Sequence, residues 1–103
     1  LIHVIRSDNP EYVNERKMEI NGVFDEAKGA LALSGFDPDR ITTKIITGAR
    51  SRAVAVAQEA RDGGYGTIVV GRRGLSRVRD FLMGRVSNKL IHLAKNQAVW
   101  VVN

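Results

Sequence analysis

The residues of this chain with the clearest chemical potential lie between positions 67 and 87. The apolar run Thr67–Val70 ends at Gly71, Gly74 follows three residues later, and Gly84 comes ten residues after that. We interpret this stretch as a strand that enters a glycine turn, followed by a second glycine turn that opens a helix. Glycine turns expose backbone N–H groups, and a helix start adds four unpaired donors and the positive end of the helix dipole. The spacing therefore predicts an anion-binding site.

Basic side chains are concentrated in the same half of the chain. Residues 1–40 contain five basic and eight acidic side chains, a net charge of −3, whereas residues 41–103 contain eleven basic and three acidic ones, a net charge of +8. The arginines of the glycine stretch are Arg72, Arg73, Arg77, Arg79 and Arg85. Clustered guanidinium groups favour phosphate, either of a nucleotide or of a nucleic-acid backbone. A solvated basic surface is the alternative interpretation.

The elements that must position these residues alternate between strand and helix patterns. Short β-branched runs predict strands at Leu1–Arg6, Ile41–Thr47, Thr67–Val70 and Ala98–Val102. Apolar periodicity predicts helices at Glu11–Ser34, from the N-cap Ser51 to Asp62, and at Val86–Lys95. Apolar residues on the predicted inner faces of these helices include Ile20, Val23, Phe24, Val54, Ala57, Leu90 and Ile91. The alternation predicts an α/β fold, a three-layer open parallel sheet with helices on both faces, which binds ligands beyond the carboxyl ends of its strands.

Composition limits the classes of protein to consider. The 103 residues correspond to about one domain, and 44% hydrophobic with 26% charged residues is typical of a soluble globular protein. The absence of cysteine excludes disulfides and thiolate chemistry. No segment approaches the roughly 20 apolar residues of a membrane span, so we expect a cytoplasmic protein. His3 and His92 lack a third ligand at metal-binding spacing, and no serine has a recognisable catalytic base.

Two common phosphate-binding motifs are absent, the Gly-x4-Gly-Lys-Ser/Thr P-loop and the dinucleotide Gly-x-Gly-x-x-Gly fingerprint. The pattern that is present is Gly-x2-Gly-x9-Gly-x-Val-Ser, which runs from Gly71 to Ser87. It resembles the pattern of the universal stress protein family, whose nucleotide-binding members have Gly-x2-Gly-x9-Gly-Ser/Thr after their fourth strand. The strand before the motif, residues 86–90 after it and the final strand also fit, and the resemblance covers the whole chain.

The resemblance implies that an adenine nucleotide, usually ATP and possibly with Mg²⁺, is bound by the two glycine turns. The residues that it assigns to the nucleotide are Val4, Val70, Gly71, Arg73, Gly74, Gly84, Arg85, Val86 and Ser87. Val4 would lie near the adenine, and residues 84–87 would bind the phosphates through backbone N–H groups and the Ser87 hydroxyl. The resemblance also implies a homodimer through the last strand, at Val99, Trp100, Val101 and Val102. A core position for Trp100 is the alternative.

Two departures from the family pattern affect these expectations. Arg85 stands where the family has Ser or Thr, so that its guanidinium either replaces a hydroxyl contact with a stronger phosphate bond or fills the pocket. Leu1 matches the start of the family's second strand, so the first strand and helix, with the acidic residue that contacts adenine and ribose, are not matched. Because that strand is central in the family's 3-2-1-4-5 sheet, we expect residues 1–103 to form one incomplete domain. The unmatched residues were then omitted, cleaved, or supplied by another chain.

Three functions remain open from the sequence. The first is a nucleotide-binding stress-response module that is regulatory and hydrolyses ATP slowly or not at all. The second is a homologue that binds no nucleotide and acts in dimerisation or interaction, which is favoured if Arg85 occludes the site. The third is a basic nucleic-acid-binding module, for which only 6% aromatic residues offer little base stacking.

Overall fold

The computed structural model describes residues 1–72 and 85–102. In chain order the elements are β1 (Ile2–Ile5), α1 (Pro10–Leu33), a 3₁₀ turn (Pro38–Arg40), β2 (Lys44–Thr47), α2 (Arg52–Asp62), β3 (Thr67–Gly71), α3 (Arg85–Leu93) and β4 (Ala98–Val102). β1 pairs with β2 and β3 with β4, both in parallel, in two open two-stranded sheets. The predicted α/β class is confirmed. The chain divides into two compact units, residues 1–49 and 50–103.

The first unit is built on the long helix α1. Its start is fixed by Asn9, whose side-chain oxygen accepts hydrogen bonds from the backbone N–H groups of Glu11 and Tyr12 at 3.1 and 3.2 Å. The helix buries one side, where Ile20 and Phe24 stand one turn apart with exposures of 5% and 6%. Burial at this spacing is what an amphipathic helix requires, so α1 is held by its apolar stripe rather than by propensity alone.

The end of α1 depends on Gly35. The backbone of Gly35 has φ 104°, a conformation that favours glycine. The N–H of Phe36 donates to the carbonyl of Leu31 and the N–H of Gly35 donates to the carbonyl of Ala32, both at 3.1 Å. These two bonds form a Schellman motif, which satisfies carbonyls that the helix would otherwise leave unpaired.

The second unit has one layer of helices on its parallel sheet. In the register of β3 and β4, Ile68 lies opposite Val99, and both pack towards the helices. Three alanines at i, i+4 and i+7 of α2, residues 53, 57 and 60, are at most 4% exposed, and Leu90 of α3 is fully buried. Alanine's small side chain lets α2 approach the cluster closely, which explains why so short a sheet can hold two helices.

The other face of the β3–β4 sheet is apolar and open. Val69 lies directly opposite Trp100 in the ladder, and Val102 follows two residues along β4. These three side chains are between 52% and 62% exposed. Parallel strands are usually covered on both faces, so this surface is unusual for its sheet type.

Two predicted segments differ from the structure. The sequence predicts neither a helix nor a strand between Ser34 and Ile41, but Asp37 accepts a hydrogen bond from the N–H of Asp39 and caps a 3₁₀ turn there. The second strand begins at Lys44 rather than Ile41, because its ladder starts where the Lys44 N–H donates to the carbonyl of Leu1 at 2.9 Å. Among the described residues, no helix has the length and apolar character to cross a membrane.

Candidate functional site

The carboxyl edge of the β3–β4 sheet is where the second unit can receive a ligand. β3 and β4 are parallel and α3 lies between them in sequence, so these elements form a βαβ unit. In such a unit the helix runs back against the strands, and its N-terminus lies at their carboxyl edge. The end of β3 at Gly71 and the start of α3 at Arg85 therefore belong to the same edge.

Gly71 has no structural reason to be glycine among the described residues. Its φ is not positive, and a Cβ built on it meets no atom within 4 Å. It is an exposed strand residue directly opposite Val102, a position where glycine weakens a strand relative to other residues. Glycine at such a position keeps the backbone accessible to a closely approaching group. Among the described residues, no atom occupies the space that a Cβ at Gly71 would take.

The backbone beside Gly71 is held firmly. The N–H of Arg72 donates to the carbonyl of Val102 at 2.7 Å and extends the ladder one residue beyond β3. This bond restrains the peptide plane between Gly71 and Arg72. The sequence indicated Arg72 only as part of the basic cluster, and its backbone role could not be predicted before the register of the ladder was known.

The first turn of α3 presents one cation to solvent and buries the hydroxyl next to it. Arg85 is exposed, Val86 is half-buried against the apolar cluster, and Ser87 is 1% exposed. Residues two positions apart on a helix differ by about 200° in direction, so Arg85 and Ser87 point to opposite sides. The first turn of a helix is a position where backbone N–H groups can bind an anion.

The remaining predicted nucleotide residues are distributed as follows. Val70, one residue before Gly71, packs against the same apolar cluster as Val86. This shared cluster connects β3 with α3. Val4 lies on β1 in the first unit and is 7% exposed. Arg73, Gly74 and Gly84 lie outside the described residues. Of the predicted residues, Val70 and Val86 pack on one apolar cluster, while Gly71 lies on β3 and Arg85 and Ser87 lie on α3.

The predicted dimer residues of β4 divide between the two faces of the sheet. Val99 packs on the apolar cluster below the helices, and Val101 alternates to the same side. Trp100 and Val102 lie on the open face. A contact through side chains of β4 would therefore use Trp100 and Val102, whereas Val99 and Val101 could contribute only backbone.

The carboxyl edge of the first sheet contains polar residues that the sequence reasoning did not single out. The N–H of Gly48 donates to the carbonyl of Ser7 at 3.1 Å, which joins the ends of β2 and β1. Gly48 has φ 66°, and a Cβ on it would lie 3.5 Å from the Cβ of Asp8. A glycine directly after a predicted strand is the signal that could have identified this junction. Among the described residues, no three His, Cys, Asp or Glu side chains are grouped for a metal ion.

Comparison with known proteins gives one positive result. The sequence model of the universal stress protein family matches residues 1–103. No curated protein and no solved structure gives a significant match.

Proposed function

Because the chain belongs to the universal stress protein family, we propose that it is a stress-response module that binds an adenine nucleotide, usually ATP with or without Mg²⁺, in the cytoplasm. Family membership supports the stress-response role itself. The observation that supports nucleotide binding is that, among the described residues, no atom lies within 4 Å of a Cβ built on Gly71 and nothing there demands glycine. A nucleotide that passes close to the backbone supplies the missing reason for this residue.

The phosphates would be bound at the start of α3. Backbone N–H groups of the first turn and the positive end of the helix dipole favour an anion there. Arg85 is exposed at this turn, and no acidic residue accompanies it. The guanidinium thus has the freedom to bind phosphate oxygens, and we infer that it replaces the hydroxyl expected at this position rather than filling the pocket.

The proposed role is regulatory. A nucleotide held by backbone N–H groups and a guanidinium is bound and oriented, but these groups neither accept a proton from water nor supply a nucleophile. Occupancy of the site would instead change which partner the protein binds. Any hydrolysis of ATP would therefore be slow.

Calorimetry with ATP, ADP and AMP tests the proposal. We expect all three nucleotides to bind, and Arg85→Ala to weaken ATP binding about tenfold while AMP binding changes less, because the guanidinium contacts the distal phosphates. Arg61→Ala is the matched control, since Arg61 is exposed at the end of α2 that leads towards the amino end of β3. The absence of binding heat for every nucleotide, together with no nucleotide in extracts of the purified protein, would refute the proposal.

The open face of the β3–β4 sheet favours a second candidate function, a dimerisation or interaction unit. Val69, Trp100 and Val102 form an exposed apolar surface on adjacent strands. Such surfaces are often covered by another protein. If this function holds, light scattering will show a homodimer that Trp100→Asp converts to monomer, while Met18→Asp, an equally drastic change at a 78% exposed residue of α1, has no effect. A monomeric wild-type protein would exclude a homodimer through β4.

A further inference from the structure

The outer face of α3 forms a strongly charged surface that extends away from the candidate site. Arg85, Lys89 and His92 are exposed and follow the spacing i, i+4, i+7, which places them in one row along the helix. Lys95 is exposed two residues beyond the end of α3. The opposite face of the helix contains the fully buried Leu90. We call Arg85, Lys89, His92 and Lys95 the basic row.

Few carboxylates are present to neutralise the basic row. Residues 85–102 contain no aspartate or glutamate, and α2, which packs on the same apolar cluster, contains Glu59 and Asp62. Residues 50–72 and 85–102, the described part of the second unit, contain seven Lys and Arg side chains against these two carboxylates. A local excess of this size concentrates anions at the surface.

The histidine contributes less to the basic row than the other three residues. Its Nδ1 lies 2.9 Å from the backbone oxygen of Asn88. Because a carbonyl oxygen only accepts hydrogen bonds, Nδ1 is the donor in this contact, which leaves only Nε2 to face an anion. The permanent charges of the row are therefore those of Arg85, Lys89 and Lys95.

We propose that the basic row binds a linear chain of phosphates, inorganic polyphosphate. With a rise of about 1.5 Å per residue, Arg85 and Lys89 are roughly 6 Å apart along the axis of α3, and Lys95 follows beyond the end of the helix. A flexible polymer with one negative charge per phosphate can place a phosphate at each cation, and release of its counterions drives the association. The binding surface shares only Arg85 with the proposed nucleotide site, and Lys89 and Lys95 lie outside that site.

Polyphosphate fits this surface better than nucleic acid does. Neither α2 nor α3 contains an aromatic residue, and proteins that bind single strands depend on aromatic side chains for stacking. A duplex has its phosphates at fixed positions, and the three cations of the basic row can contact only a few of them. The basic row therefore fits a polymer of phosphates that carries no nucleobases.

Titration with medium-chain inorganic polyphosphate at several NaCl concentrations tests this proposal. If the basic row neutralises three phosphates, the counterions of these phosphates are released. The logarithm of the affinity should then fall with the logarithm of the salt concentration with a slope of about −2. We expect Lys95→Glu to lower the affinity about tenfold and Lys89→Gln to lower it about threefold at low salt. Lys17→Glu is the control, because it makes the same charge change at an exposed residue of α1 in the first unit, and we expect less than about a twofold effect.

The same variants separate this proposal from nucleotide binding. Lys95→Glu should bind ATP as the unsubstituted protein does, so that either proposal can fail while the other stands. No binding of polyphosphate at low salt, or equal losses for Lys95→Glu and Lys17→Glu, would overturn the inference. A DNA duplex at the same phosphate concentration that binds as tightly, with the same loss for Lys95→Glu, would overturn it in favour of nucleic acid.

Discussion

Replacing Gly71 by alanine should separate the demands of the fold from those of a ligand. A Cβ at this residue meets no described atom within 4 Å, and the backbone φ is not positive. Alanine at a compatible backbone position restricts the unfolded chain, so the free energy of unfolding should rise by about 0.5 kcal/mol. A nucleotide seated against the backbone would instead meet the new methyl group. Overpacking of this kind costs about 1–3 kcal/mol, which corresponds to a roughly 5- to 150-fold weaker affinity for ATP.

Gly66→Ala is the control for this experiment. Gly66 precedes the other end of β3, also lacks a positive φ, and has no atom within 4 Å of a Cβ built on it. Thermal unfolding and calorimetry with ATP should show similar stability changes for the two variants but a loss of affinity only for Gly71→Ala. The reasoning is refuted if both variants bind ATP equally well, or if Gly71→Ala lowers the free energy of unfolding by more than about 1 kcal/mol.

Three further predictions concern elements that stabilise each unit from within, and urea unfolding measures each of them. Gly35→Ala should destabilise the protein by about 1 kcal/mol, because φ is 104° at this residue. Gly22→Ala inside α1 should stabilise it by a similar amount, because a Cβ there meets no described atom within 4 Å. If both variants change the free energy of unfolding in the same direction, Gly35 does not terminate the helix. Asn9→Ala should cost about 1 kcal/mol through loss of the two hydrogen bonds that cap α1, and Asn9→Asp should retain them. Leu90→Ala should cost about 2–5 kcal/mol because the side chain is fully buried, while Ile91→Ala, at 45% exposure, should cost far less.

The order and type of the elements could be predicted from the sequence because the apolar periods are distinct. β4 has the predicted bounds, and Ser51 caps α2 as expected, with its hydroxyl accepting a hydrogen bond from the N–H of Val54 at 3.3 Å. The predicted inner faces of the helices were partly wrong. Val23, Val54 and Ile91 are 45% to 55% exposed.

The reason for these errors is the period of the helix. In each case the exposed residue adjoins a buried one, for example Val54 after Ala53 and Ile91 after Leu90. Neighbouring residues differ by about 100° around a helix, and a hydrophobic side chain can therefore be placed on the wrong side by a single position. Hydrophobicity favoured Val54, but packing against the sheet selected the small Ala53. Which of two adjacent apolar residues is buried depends on the surface against which the helix packs. That surface is formed by residues that are distant in the sequence, so the local pattern does not specify it.

The sequence predicts where the backbone of the candidate site lies, but not the directions of its side chains. Glycine spacing located the edge of the sheet at Gly71, since this signal depends only on where a strand ends. The direction of side chains on α3 required the fold, because it depends on which face of the helix meets the core. With Ser87 at 1% exposure and Arg85 exposed on the opposite side, the two cannot both direct side chains at one ligand. Of the predicted phosphate-binding side chains on α3, Arg85 is therefore the one that is exposed to solvent, while the role of the buried Ser87 hydroxyl stays a prediction.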